Sequence, residues 1–292
     1  MSLKRYFITF YLMFLSIVGV FAISQVIRSG SGSVTGISAL GLAIAALIPL
    51  AFFIWLMTAK PARTSSHPLP VTLLSGAGLV IIMLQQTQGP PDRLFWLAFA
   101  AFLGWIIYLR WYSRLPQPHL PHLQAGQTLP AFDLTDLNGA TVKSDQFRGH
   151  IHILLFYRGN WCPLCMAQIQ EIAGHWRQLH ALGVEVALIS PQPQGHSEKL
   201  AQRFDVPLRF FSDPNNRAAE RLGIAAPGTL PLGMELWGYG ADAVLPTVIV
   251  VDENGHIIKA HQTDNYRLRP EPDYFIELVQ QHRRQNAGDQ QH

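Results

Sequence analysis

Four long apolar runs, each free of Asp, Glu, Lys and Arg, fill the first 114 residues; beyond them the pattern changes to short apolar runs separated by polar turns. The charge-free gaps lie between Arg5 and Arg28, Arg28 and Lys60, Arg63 and Asp92, and Arg93 and Arg110. Each can hold the roughly 20 residues needed to cross a bilayer as a helix, so helices are predicted over 6–27, 37–58, 70–86 and 94–111. The third is the weakest, because its apolar core is short and carries Ser75 and two glycines. Trp55, Trp96, Trp105, Trp111 and Tyr112 lie toward run ends, where interfacial aromatics collect.

The first run is too long for a cleaved leader and has no clean small-residue cleavage pattern, so it reads as an anchor. Lys4, Arg5, Lys60, Arg63, Arg110 and Arg114 flank the runs on one side, against Arg28 and Arg93 on the other. Basic flanks stay cytoplasmic. The expectation is a multi-pass protein of a bacterial-type inner (cell) membrane, embedded in the lipid bilayer, with its second half in the cytoplasm. If the third run does not cross, that half becomes periplasmic.

Residues 115–125, with Pro116, Pro118 and Pro121, form a stiff linker. From 126 to 283 strand and helix patterns alternate. Apolar runs at 152–157, 184–190, 208–212, 247–251 and 256–260 read as strands. Residues 163–182, 197–204, 216–222 and 271–282 read as helices. That alternation predicts an α/β domain with helices over a central sheet, preceded by an all-α membrane region and followed by a polar tail at 284–292.

The net charge of +3 is explained by the membrane flanks and scattered arginines; without a basic stripe there is no case for nucleic acid. The two cysteines, Cys162 and Cys165, are the only ones in 292 residues. Their spacing at the start of a helical pattern puts Cys162 at the helix N-terminus, where unpaired N–H groups favour a thiolate, and Cys165 one turn on, within reach of a mixed disulfide. Cys162 is the expected nucleophile and Cys165 the resolving thiol. A zinc half-site would need two further ligands, and His150, His152, His175 and His180 lack the usual downstream spacing. No metal and no other cofactor is expected.

The stretch 126–134 (GQTLPAFDL), Asn138-Gly139 and Tyr157-Arg158-Gly159-Asn160-Trp161-Cys162-Pro163-Leu164-Cys165 resemble a thioredoxin-like redoxin domain, of the peroxiredoxin-like AhpC/TSA group. The likeness spans about 124–283 and leaves out the membrane region. It implies a thioredoxin-like fold, and Leu245-Pro246-Thr247 matches the family's cis-proline segment, which faces the dithiol and docks substrate. Trp161, Pro163 and Arg158 are the other residues expected to shape docking or to stabilise the thiolate.

One departure bears on the chemistry. Peroxiredoxins carry Pro-x-x-x-Thr/Ser-x-x-Cys; counted to Cys162 those places hold Leu155 and Gly159, and counted to Cys165 they hold Arg158 and Cys162. Neither register supplies the hydroxyl. The leading expectation is thus a membrane-anchored thiol-disulfide oxidoreductase acting on protein disulfides. The alternatives are a thiol peroxidase acting on hydroperoxides, and a copper chaperone adding His256 or His261 to the thiolates. A thioredoxin or glutathione-type system is the expected reductant.

Overall fold

In the computed structural model, residues 3–86, 90–116, 120–240 and 242–289 are described; Pro118 of the linker and the last three residues of the polar tail lie outside them. The chain divides into two compact units, one made of Leu3–Lys60 and Thr64–Arg114, the other built on Leu115–His292.

The first unit is helical: α1 (Leu3–Ser29), α2 (Val34–Ala59), α3 (Leu69–Gln85) and α4 (Arg93–Ile107), the last continued by a π-turn at Tyr108–Tyr112. Ser33 and Asp92 cap α2 and α4 by accepting the Gly36 and Phe95 N–H groups. Three of these helical stretches, α1, α2 and Arg93–Tyr112, are long and apolar enough to cross a membrane. The third, α3, has 17 residues, about 26 Å at 1.5 Å per residue. It packs tightly on α2, where a Cβ on Gly41 would come within 2.6 Å of the Gly78 carbonyl oxygen. Its polar groups are met inside the unit: Ser75 Oγ donates to Ala45 O (2.9 Å), and Thr72 Oγ1 accepts from Trp105 Nε1 (2.9 Å).

In the second unit a hairpin comes first, β1 (Asp133–Thr135) and β2 (Thr141–Lys143). Each strand is only three residues long, too short for an apolar pattern to announce it. The turn between them is chemical: Asp136 Oδ1 accepts from Asn138 and Ala140 N–H, and Gly139 supplies φ +82°. Then follow β3 (Ile151–Phe156), α5 (Pro163–Gly174), α6 (Trp176–Ala181), β4 (Val184–Ser190), α7 (Gln194–Ala201), β5 (Arg209–Ser212) and α8 (Arg217–Arg221). The chain ends with β6 (Ala225–Ala226), β7 (Ala243–Val244), β8 (Thr247–Val251), β9 (Ile257–Gln262) and α9 (Pro272–Asp289). The helix expected over 163–182 is broken at His175 (φ −97°, ψ 7°), directly after Gly174, a poor helix former.

The sheet order is β2-β1-β5-β4-β3-β8-β9, with β3, β4 and β5 parallel and the flanking strands antiparallel. Every residue of β3 is buried, and its side chains alternate between two cores. Ile151, Ile153 and Leu155 pack with α5, α7 and α9 side chains such as Ile169, Leu200 and Val279; Leu154 and Phe156 pack with Phe147 and with Ala218 and Ala219 of α8. Each such fully buried aliphatic or aromatic side chain stabilises the fold by about 1.5–3 kcal/mol. Helices therefore cover both faces, as a thioredoxin-like α/β fold requires. The C-terminal end of the interior strand β3 then opens directly onto the cysteine loop.

Candidate active site

Residues 157–162 carry the chain from the end of β3 into α5. Cys162 caps that helix: its Sγ accepts the Cys165 N–H at 3.4 Å, and Pro163 takes the first helical position, where its missing N–H costs nothing. Cys165 follows one turn later, its Sγ 2.8 Å from Cys162 Sγ. Both thiols are free and each residue is 1% exposed.

A third group that the sequence did not single out completes the cluster. Arg269, in the segment between β9 and α9, places Nη2 4.0 Å from Cys165 Sγ. Its Nε is buried without a partner, and among the described residues no carboxylate pairs with it. Burying an unpaired charge is costly, so the counter-charge that fits this guanidinium is a thiolate. The segment is shaped by an Asx-type turn in which Arg267 N–H donates to Asn265 Oδ1 (3.1 Å).

Two local fields therefore compete over which sulfur ionises first. A helix terminus offers Cys162 about half a charge, whereas Arg269 offers Cys165 a full one. Burial alone would push Cys165 up, but its hydrogen bond with Cys162, the Arg269 charge, and the backbone N–H and charge of Arg158 bring it down to about 6. The hydrogen bond with Cys165 and then burial push the Cys162 thiol well up. Cys162 occupies the helix-start position expected of it, yet the easier ionisation passes to Cys165.

Arg158, expected to shape docking or to stabilise the thiolate, is buried. Its guanidinium lies 4.7 Å from the Trp161 ring centroid and 5.8 Å from that of Tyr266, and Nη2 donates to Thr229 O (3.2 Å). Trp161 lies half-buried at the edge of the dithiol core, its Nε1 without a partner. Gly159 needs its φ of +142° here, and a Cβ on it would strike Trp161 Nε1 at 2.6 Å. The loop is held from outside by Gln192, which follows β4. Gln192 Oε1 accepts Asn160 N–H (2.7 Å), and its Nε2 donates to Tyr157 Oη and Ser197 Oγ (both 3.0 Å). Burial raises the Tyr157 phenol far above its ordinary value, so it stays neutral in this network.

Arg158, Trp161, Pro163 and the two cysteines thus come together. Thr247 pairs across from Phe156, which puts Pro246 beside the end of β3. The expectation of a cis bond there is corrected: no peptide bond among the described residues is cis. Trans is the default for X-Pro, and this stretch is held extended by Leu245 N–H donating to Ile224 O (2.8 Å) and by Thr247 Oγ1 donating to Leu245 O (2.9 Å). Thr247 Oγ1 also accepts from Gln262 Nε2 (3.1 Å), so this hydroxyl is engaged with the sheet. The copper alternative finds no geometry. Among the described residues neither His256 nor His261 joins the cysteines in a metal-holding group. His261 packs against Tyr274, and His256 lies 3.6 Å from Asp252.

Residues 125–260 match the AhpC/TSA family. The chain is 29% identical over 108 residues to the chloroplastic peroxiredoxin Q of Populus jackii, covering 36% of this chain and 51% of that protein, so it spans about half the length of this relative. It is 25% identical over 157 residues to the chloroplastic peroxiredoxin Q of Sedum lineare (53% and 77%). It is 24% identical over 164 residues to the thiol-disulfide oxidoreductase ResA of Geobacillus thermodenitrificans (56% and 80%). Among solved structures, peroxidoxin BcpB from Mycobacterium tuberculosis aligns with 55% of this chain and 97% of its own, at 19% identity and a TM-score of 0.45. Residues 125–260, which carry the buried dithiol on the α/β sheet, are thus similar to the AhpC/TSA family, and the relatives they match are named as peroxiredoxins and as a thiol-disulfide oxidoreductase.

Proposed function

We propose that this chain is a membrane-anchored dithiol peroxidase in which Cys162 and Cys165 cycle between dithiol and disulfide. The observation that carries the reading is the buried Arg269 guanidinium against Cys165 Sγ, with the Cys162 thiol 2.8 Å away on the other side. Counted to Cys165, the family pattern puts Cys162 in the place of the missing hydroxyl, and a thiol there supplies a hydrogen-bond donor, though a weaker one than a hydroxyl. Exchange with protein disulfides, favoured by the sequence, stands second for the oxidising step: with each cysteine 1% exposed, a small hydroperoxide needs less rearrangement to reach them.

In the proposed cycle the Cys165 thiolate attacks the distal oxygen of ROOH and the O–O bond breaks. The leaving alkoxide takes the Cys162 proton, and Cys165 becomes a sulfenic acid. The Cys162 thiolate then attacks that sulfur and expels hydroxide, which solvent protonates to water, leaving the disulfide. A thioredoxin or glutathione-type thiol restores the dithiol. Stopped-flow oxidation of the reduced protein by hydrogen peroxide, an organic hydroperoxide and a protein disulfide tests the order. Faster oxidation by the protein disulfide would reverse it.

The same proposal places α1 to α4 across a bacterial-type inner membrane, with the redoxin domain in the cytoplasm. Its support is the six-to-two basic bias, together with the internally satisfied polar groups and tight α2 contact of the short α3. Reporter fusions after Leu115 should be active as cytoplasmic and silent as periplasmic fusions. The opposite result would mean that one segment, α3 first, does not cross.

A further inference from the structure

Between β6 and β7 the segment 227–240 folds over the cysteine loop. Tyr239 Oη donates to Asn160 Oδ1, Arg158 Nη2 donates to Thr229 O (3.2 Å), and His196, stacked on Tyr239 at 4.6 Å, donates from Nε2 to Trp237 O (3.2 Å). Asn160 and Arg158 are both within four residues of Cys162, so the segment is fastened to the site itself.

Its tip is apolar and bare. Leu236 is 91% exposed and Trp237 73%, whereas the next most exposed large apolar side chain described in this unit is Tyr274 at 36%. Gly233 (φ +97°) and Gly238 (φ +84°) turn the chain on either side of the short 3₁₀ turn that presents the pair. Two adjacent large apolar side chains are thus left bare in a unit that otherwise covers its large apolar groups, which makes this tip a candidate contact surface.

We propose that 227–240 is the docking surface for the reducing partner, a protein dithiol whose thiols are rimmed by apolar side chains. This rests on the dithiol cycle proposed above and names its reductant. A reductant must bring its sulfur to bonding distance of a sulfur that is now buried, so it has to engage and displace whatever covers the cysteine loop. The apolar rim of such a partner meets Leu236 and Trp237, and the displacement parts Tyr239 from Asn160. Charge separates this occupant from a lipid surface: 227–240 contains Glu235 and no Lys or Arg, with Asp242 close behind, and anionic headgroups favour basic segments.

In the docked complex a partner thiolate attacks one sulfur of the Cys162–Cys165 disulfide. That bond breaks, the displaced thiolate takes up a proton, and a mixed disulfide forms. The partner's second thiol then attacks the mixed disulfide, so that the partner leaves oxidised and this chain leaves as the dithiol.

The test uses the full chain in detergent, oxidised with hydrogen peroxide, and follows its reduction by thioredoxin and by dithiothreitol. In the Leu236→Ser/Trp237→Ser variant, reduction by thioredoxin should slow at least tenfold while reduction by dithiothreitol stays within twofold of wild type. An unchanged thioredoxin rate overturns the proposal, as does an equal fall with both reductants, which would mean a disturbed fold. A wild type reduced by dithiothreitol and not by thioredoxin overturns the partner class. A variant that keeps its thioredoxin rate and, reconstituted in phospholipid vesicles, loses only turnover of a phospholipid hydroperoxide assigns the tip to lipid instead. If no Cys162–Cys165 disulfide forms with any oxidant, the dithiol cycle itself fails, which is a separate result.

Discussion

Replacing Arg269 with Met keeps much of the side chain's volume and removes its charge. With Nη2 4.0 Å from Cys165 Sγ, two unit charges at an effective dielectric of about 20 would interact by about 4 kcal/mol. The guanidinium charge is spread over three nitrogens, of which only one is that close, so about 3 kcal/mol is the better figure. At 1.36 kcal/mol per pH unit this is about two units. Thiolate formation at Cys165, which in the native chain has its midpoint at about 6, should move to roughly 8 in Arg269→Met, and Arg269→Lys should recover part of the shift. The assay is the pH dependence of iodoacetamide alkylation, with the labelled residue assigned by mass spectrometry. Linkage adds a second readout. The folded value lies below the ordinary thiol value of about 8.5, so ionisation of Cys165 stabilises the reduced fold fully above that ordinary value, and the contribution is lost as pH falls through about 6. Arg269→Met should flatten this dependence. A midpoint that moves by less than about half a unit would refute the pairing of guanidinium and thiolate.

In the native chain Cys165 should be alkylated before Cys162 at mildly acidic pH; first labelling of Cys162 would return the nucleophile to the helix-start position. Cys162→Ser should accumulate a trapped sulfenic acid on Cys165 after peroxide, detected by dimedone, because no second thiol can condense with it. Gly159→Ala forces a side chain into a left-handed position against Trp161 and should cost about 1–3 kcal/mol, read as a lower thermal midpoint. Gln192→Leu leaves Asn160 N–H without its acceptor and should cost about 1–3 kcal/mol, with peroxide turnover falling as the loop loosens; an unchanged melting curve would count against the clamp.

Local signals were legible and distant ones were not. Strands β4 and β8 fall where their continuous apolar runs placed them, and the dithiol sits at a helix start because Pro163 and the cysteine spacing are written within a few residues. Arg269 is 104 positions from Cys165, and the partners of Asn160, Gln192 and Tyr239, are 32 and 79 positions away. A sequence pattern carries no periodicity across such gaps. Arg269 left one faint trace, an arginine just before Pro270 and the final amphipathic helix, but nothing in the pattern said that it turns inward. The proposed assignment of the nucleophile to Cys165 departs from the local reading for the same reason: the helix terminus can be read locally, and the Arg269 charge cannot.

The Arg269 pocket also bears on which redox state the fold prefers. In the proposed cycle the reduced form sets a Cys165 thiolate against the buried guanidinium, and disulfide formation removes that negative charge. Oxidation therefore strands a cation, and the ~3 kcal/mol of attraction is lost from the oxidised side only. For a two-electron couple this corresponds to a reduction potential more positive by about 60 mV. On the proposed cycle this favours electron uptake from a dithiol donor, and Arg269→Met should make the disulfide harder to reduce even as it makes the thiol less reactive.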